Sequence, residues 1–289
     1  MTTPLRWPSS LVLAVVSLAA ASCGRPYSAD QVPGLIEHIS AEEYRLDVSV
    51  RHIDHTIAVY LRHDGVLEKL GEEVGLSPEA GKPLNDLTDV LHRVLLSTNA
   101  DIDFYFIIVS DSQIPGAYLT LIRSLEDVRR LSVSVIPPTE FLMRTVIDLK
   151  YDVAVPILNF DQLVVKDIEL GQFLSWQMSR RIQMKLIEHL EEMGLTPEEV
   201  GPCVGEFQNG EFTFLLNIAP VFKWRNEEEL VQQAFQDATE VIAEVLSSYQ
   251  FEDFSAIRLS HPASGRSLLL PKTELRLLGN RPAGFGHLR

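Results

Sequence analysis

The strongest constraint on how this chain can fold is that it carries one order of elements twice. In the first half, Ser28 and Gln31 form a capping box ahead of Val32, Leu35, Ile36 and Ile39, which recur at helical spacing with Pro33 in the first turn. The period then changes to two, through Leu46, Val48 and Val50 and again through Ile57, Val59 and Leu61, with Asp54-His55 between them as a hairpin turn. A helix over 83–98 follows on Leu84, Leu87, Leu91, Val94 and Leu95, then strands over 102–110 and 118–122 around Pro115-Gly116. In the second half, a helix over 168–193 carries the stripe Leu170, Leu174, Met178, Ile182, Leu186, Leu190 and Met193. A capped turn at 196–199 comes next. Strands over 204–207 and 212–218 then flank Asn209-Gly210, a helix runs from Asn226 to about Tyr249, and strands over 254–260 and 267–270 close the unit.

Residues recur as well as order. Leu96-Ser97 returns as Leu246-Ser247, Asp103-Phe104 as Asp253-Phe254, Ile107 as Ile257 and Ser110 as Ser260, at one offset and without a gap. Self-similarity in fixed order marks a repeated unit. The expected fold is therefore α+β, with internally duplicated helix-hairpin-helix-hairpin units and mixed sheets packed with helices. Within a unit, the second strand, the helix and the third strand form a right-handed crossover between parallel strands, and the two hairpins are antiparallel. Phe104-Tyr105-Phe106-Ile107-Ile108-Val109 is apolar on both faces, so each sheet is expected to have its second face covered by the bridge, by the other unit or by both. The bridge, 124–167, is expected to hold a strand at 131–136, a break at Pro137-Pro138 and a helix from Glu140 to about Lys150.

The first residues carry a different signal. An apolar run begins Leu11-Val12-Leu13-Ala14-Val15-Val16, follows a short n-region with Arg6, and ends in Ala20-Ala21-Ser22-Cys23. About a dozen apolar residues are too few for a bilayer span, which takes ~20, but they suit an export signal. Here the chain resembles bacterial lipoproteins: Ala20, Ala21 and Ser22 match the small positions of the lipobox and Cys23 matches the lipidated cysteine. Ala20 stands where the family favours Leu, and Ala19-Ala20-Ala21 offers an ordinary A-x-A cleavage site as the alternative. The resemblance implies a signal peptide over 1–22 and palmitate-type acylation of Cys23. It also implies a lipid bilayer as the first partner, and, in a diderm cell, an outer-membrane position facing the periplasm. Two or more acyl chains, at about 0.8 kcal/mol per buried CH₂, hold a protein stably on a membrane. The remaining organisation is read as a first unit over 23–123, the bridge over 124–167, a second unit over 168–278 and a flexible basic tail over 279–289.

A formal charge of −15 argues against nucleic acid as a partner, because phosphates attract a basic face. The basic residues near the end, Arg266, Lys272, Arg276, Arg281 and Arg289, read as a tail that docks on the acidic body. There are only two cysteines. With Cys23 acylated, Cys203 has no disulfide partner and reads as a small buried hydrophobe.

No nucleophile elbow, phosphate loop or dinucleotide fingerprint occurs. The densest chemical cluster is His52, Asp54 and His55, with His63-Asp64 beyond the next strand. Imidazoles and carboxylates suit zinc, but strand alternation sends His52 and Asp54 to one face and His55 to the other. Asp111 and His261 follow the two matched strands and form a second candidate pair. The reading is a non-enzymatic envelope lipoprotein with a binding, scaffolding or assembly role toward an envelope protein, glycan or lipid, with no cofactor and no catalytic residue assigned. The alternative is an envelope hydrolase or metal-dependent enzyme that uses the histidine and aspartate cluster.

Overall fold

A computed structural model describes residues 26–71, 73–151, 160–163, 165–192, 196, 200–218 and 227–279. The segment expected to direct export, with Cys23, lies outside the described residues, as do Asn226, the tail after Gly279 and all but Thr196 of the turn at 196–199.

Helix α1 (Val32–Tyr44) opens with half of the expected capping box: the Ser28 amide and hydroxyl donate to Gln31 Oε1 at 3.1 and 2.9 Å. Strands β1 (Val48–Ile53) and β2 (Thr56–Arg62) form the expected hairpin, with Asp54 at φ 46° in the two-residue turn. A small ribbon that the sequence reading missed comes next, β3 (Leu67–Leu70) with β4 (Glu73–Leu76). Helix α2 (Gly81–Leu95), β5 (Phe104–Ser110) and β6 (Ala117–Ser124) complete the first set.

The bridge differs from its expected form in both parts. Residues 131–136 are not a strand, because α3 (Leu125–Ser132) occupies the start and the chain then turns at Ser134, φ 58°, with the Ser134 and Val135 amides bonding back to the Leu131 and Arg130 carbonyls. Acidic Glu126 and Asp127 in its first turn and basic Arg129 and Arg130 in its last suit the helix dipole. The helix expected to reach Lys150 is α4 (Pro138–Arg144), which stops where Thr145 turns extended. Val146–Tyr151 becomes β7, because β6 offers an open edge and pairs with it from Ile122↔Val146 to Ala117↔Tyr151. Helical spacing is compatible with that stretch, but a ladder to β6 satisfies its backbone groups better.

The second set is α5 (Leu170–Glu192), β8 (Val204–Gln208), β9 (Glu211–Leu215), α6 (Glu227–Tyr249), β10 (Ala256–His261) and β11 (Arg266–Pro271), followed by an unforeseen helix, α7 (Lys272–Gly279). Asn209 and Gly210 both take positive φ, 53° and 74°, as a tight two-residue hairpin requires.

The fold is α+β, with a five-stranded mixed sheet of order β1-β2-β5-β6-β7, a four-stranded mixed sheet of order β11-β10-β9-β8, and the β3-β4 ribbon. In the larger sheet β2 and β5 are parallel across α2; in the smaller sheet β9 and β10 are parallel across α6. The buried positions Leu87, Val90, Leu91, Val94 and Leu95 of α2 have a spacing repeated by Ala238, Val241, Ile242, Val245 and Leu246 of α6. The gapless sequence match is not the match of the ladders, however. Ile107 sits opposite Val59, the fourth residue of β2, whereas Ile257 sits opposite Phe212, the second residue of β9.

Two cores stack the elements in layers. One joins α1 and α2 to one face of the larger sheet through Val32, Ile36, Leu91, Val59 and Ile107. The other joins that sheet's opposite face, through Tyr60, Phe104, Phe106 and Ile108, to α5 and α6 and then to Phe212, Phe214, Ile257 and Leu259 of the smaller sheet. The order is helix, sheet, helix, sheet. Phe173 on α5 lies 5.1 Å from the Phe104 ring and 6.2 Å from that of Tyr249. A buried polar network ties the bridge to the inner helices: Arg144 donates to Asp127 at 2.9 Å, and the Tyr249 hydroxyl donates to the same carboxylate. Gln177 donates to the Arg144 carbonyl at 2.7 Å and to Tyr249 at 3.0 Å. Burial pushes the Asp127 carboxyl upward, against the pull of Tyr249 and Arg144.

The expectation that both sheets are covered on both faces holds for the larger one alone. On the outer face of the smaller sheet Val204, Leu215 and Leu269 remain 44, 38 and 48% exposed among the described residues. Of the basic residues near the end, Arg266 pairs with Glu228 at 2.9 Å and Lys272 with Glu252 at 3.2 Å. No helix of the described residues is long and apolar enough to cross a membrane.

Candidate functional site

The histidine and aspartate residues singled out by sequence are placed separately. His52 is half-buried in β1 with its Nε2 buried and unpartnered. Asp54 is exposed in the hairpin turn, and His55 beside it turns to Asp101, with Nδ1 3.3 Å from the backbone carbonyl and 3.5 Å from Oδ2. Asp64, beyond the far end of β2, accepts the Ser112 hydroxyl and amide, which hold its carboxyl below the usual range. Among the described residues no three His, Cys, Asp or Glu side chains gather closely enough to hold a metal ion.

Asp111 and His261 are both buried, and each organises a loop at the end of its parallel strand pair. Asp111 accepts the amides of Gly65 at 2.8 Å, Leu67 at 3.2 Å and Gln113 at 2.8 Å. His261 Nε2 lies 3.1 Å from the Ile218 carbonyl, which can only accept, so the proton is on Nε2. Nδ1 then accepts the Ser264 hydroxyl at 2.8 Å and the Ser264 amide at 3.3 Å. Asp111 is engaged by backbone amides and His261 by backbone and the Ser264 hydroxyl, which suits loop closure.

A groove of about 900 Å³ lies elsewhere, at the junction of the two sheets. One wall is β7, the last strand of the larger sheet; the other is β8, the last strand of the smaller one. Helix α5 forms the floor with Gln172, Trp176, Arg180 and Gln183. Its neighbouring ridge, Gly171, Ser175 and Ser179, seats β8. A Cβ on Gly171 would fall 2.2 Å from the Phe207 ring, a Cβ on Gly205 would fall 2.2 Å from Ser179 Oγ, and Ser175 Oγ lies 3.5 Å from the Gly205 carbonyl. Glycine at 171 and 205 is thus what lets strand and helix approach so closely.

Charge in the groove is mixed. Lys150 pairs with Asp148 at 3.1 Å. Arg180 donates to the Ile147 carbonyl and, among the described residues, has no carboxylate within ion-pair distance; burial lowers its pKa, with Asp148 acting in the opposite direction. Cys203 sits at the back of the groove, buried, with its thiol pushed up to about 12 by that burial, so it is a packing residue. Sequence reasoning missed the groove because α5 was read for its core stripe alone; the positions one step round the helix, at Gln172, Trp176 and Arg180, were the available signal.

Comparison of the chain with known protein families, with curated proteins and with solved structures finds no match.

Proposed function

We propose that this chain is a lipid-anchored protein of the cell envelope with a non-catalytic role in recognition or assembly. The observation that carries the anchor is Ala20-Ala21-Ser22-Cys23 directly after an apolar run of signal length. On this reading Cys23 is acylated, the bilayer is the first partner, and the groove on α5 faces an envelope protein, glycan or lipid. The layered body with two like-ordered sheets is further proposed to descend from a duplication of one helix-hairpin-helix-hairpin unit. Supporting it are the shared strand order and parallel crossovers; the shift between sequence match and ladder register then records later insertion or loss of single residues.

The test of the anchor is Cys23→Ser with metabolic labelling by palmitate and fractionation of the cells. Loss of label and of membrane retention is expected. Equal retention of label and membrane association by the variant would remove the proposal's basis.

A further inference from the structure

The groove has features that name the kind of partner it takes. Backbone polarity comes first. The two-residue turn at Asn209-Gly210 makes Gln208 and Glu211 a hydrogen-bonded pair, so Glu206 with Thr213 and Val204 with Leu215 are bonded as well. The Leu216 amide bonding to Ser260 in β10 shows the even residues of β9 turned away from β8, which agrees. Gly205 and Phe207 must therefore aim their N–H and C=O groups away from β9, along the wall of the groove, where the Gly205 carbonyl also accepts Ser175 Oγ at 3.5 Å with one of its two lone pairs.

The other sheet edges are guarded. The β1 edge accepts Arg51–Asp161 packing and the Val50 bond to Glu37, β7 has its Ile147 carbonyl taken by Arg180 and its end flanked by the β3-β4 ribbon, and β11 carries Arg266 and Pro271 and runs into α7. Strand β8, Val204-Gly205-Glu206-Phe207-Gln208, has no Lys, no Pro and no bulge, the usual devices that keep an edge from pairing.

Geometry beneath that edge fits a further strand. Helix and strand run antiparallel in step: Gly171 meets Phe207, Ser175 meets Gly205 and Ser179 meets Cys203, so four helix residues match two strand residues. Four helical residues rise about 6 Å and two strand residues about 6.7 Å, close enough to keep register over two turns. The adjacent ridge, Gln172, Trp176 and Arg180, continues the same spacing under the open groove.

We propose that the groove binds an extended segment of another polypeptide, which adds to β8 as an antiparallel strand. Its alternate side chains lie over Gln172, Trp176 and Arg180 as polar, bulky apolar and acidic residues in that order. Hydrogen bonds from Gly205 and Phe207 supply affinity, and the α5 ridge supplies sequence preference. The acidic position follows from Arg180, whose guanidinium has a carbonyl partner and, among the described residues, no carboxylate in ion-pair distance. This inference deepens the recognition role proposed above and rests on it for its biological setting. Its test is made on the purified full chain, so failure of the anchor reading and failure of this one are separable.

The probe is the capped hexapeptide acetyl-Thr-Thr-Leu-Thr-Glu-Thr-amide, fluorescently labelled and titrated with the full chain. Saturable binding is expected. N-methylation of the leucine amide, which removes a donor to the β8 edge without touching a side chain, is expected to weaken it about tenfold or more. Replacing the glutamate by lysine should weaken it similarly, and Arg180→Glu should reverse the preference between the two peptides. Because the N-methyl comparison uses unaltered protein, it stands even where the Arg180 variant folds poorly. No saturable binding at millimolar peptide, equal binding of the N-methylated peptide, or binding of chitohexaose in place of the peptide would overturn the proposal.

Discussion

The two large sheets contain the same arrangement of hairpin, crossover and hairpin, yet they meet solvent differently. The central strand β5 of the larger sheet, Phe104–Ser110, is buried along its whole length. Its counterpart β10, Ala256–His261, alternates, with Ile257, Leu259 and His261 buried and Ala256, Arg258 and Ser260 less so. The difference lies in what lies on each side. Helices cover both faces of the larger sheet, and its inner strands β2 and β5 are apolar runs; among the described residues helices cover one face of the smaller sheet, and its strands β9 and β10 alternate. Stacking one helix-and-sheet pair on another in the same sense necessarily leaves one sheet face at the end, and the sequence of β9 and β10 is adapted to that position.

The comparison breaks most readily at the layer that joins the two sheets. Phe173→Ala empties a fully buried site between Phe104 and Tyr249 and is expected to cost about 3–5 kcal/mol, read from urea unfolding. A loss under ~1 kcal/mol would mean that α5 does not bind the layers together.

A smaller effect is expected on the helix side of the larger sheet. His92 on α2 lies 2.7 Å from the Tyr105 hydroxyl, which also accepts Arg123, and burial followed by the Arg123 charge lowers its pKa to about 4. The folded protein therefore resists protonation that the unfolded chain, with a histidine pKa near 6.5, accepts. This contribution is present above about pH 6.5, declines as pH falls toward about 4 and amounts to up to about 3 kcal/mol. His92→Gln should flatten that part of the stability profile. An unchanged slope between pH 6.5 and 4 in the variant would sink the assignment.

The smallest effect belongs to the open face. Leu269→Thr on β11 removes an exposed apolar side chain and should change unfolding free energy by no more than about 0.5 kcal/mol. A loss of 2 kcal/mol or more would show that this face is covered in the folded protein, and would erase the difference between the sheets.

Much of the local structure was legible in the residues. Asn209-Gly210 marked its hairpin, Leu174, Met178, Ile182, Leu186 and Leu190 marked the inward stripe of α5, and the alternation of Val48, Val50, Ile57, Val59 and Leu61 marked the first hairpin. The bridge was misread because Val133 and Val135, which look like strand residues, stand exposed in a turn after α3, while Val146 to Tyr151 gains its strand conformation from the free edge of β6. The two sets of candidate residues differ for a related reason. His52, Asp54 and His55 are close in sequence and do not converge, whereas Trp176, Arg180 and Gly205 are distant in sequence and share a groove.

By itself the sequence determined the α+β class and the order of helices and hairpins in each half, because turns, caps and periodicity depend on neighbours within a few residues. Tertiary structure alone decided that the larger sheet gains a fifth strand, that α5 and α6 lie between the sheets, and that β7 and β8 open on one groove. Those outcomes depend on which hydrogen-bonding edges and apolar faces meet between elements far apart along the chain, and a face is recognised as covered or open only once its neighbour is in place.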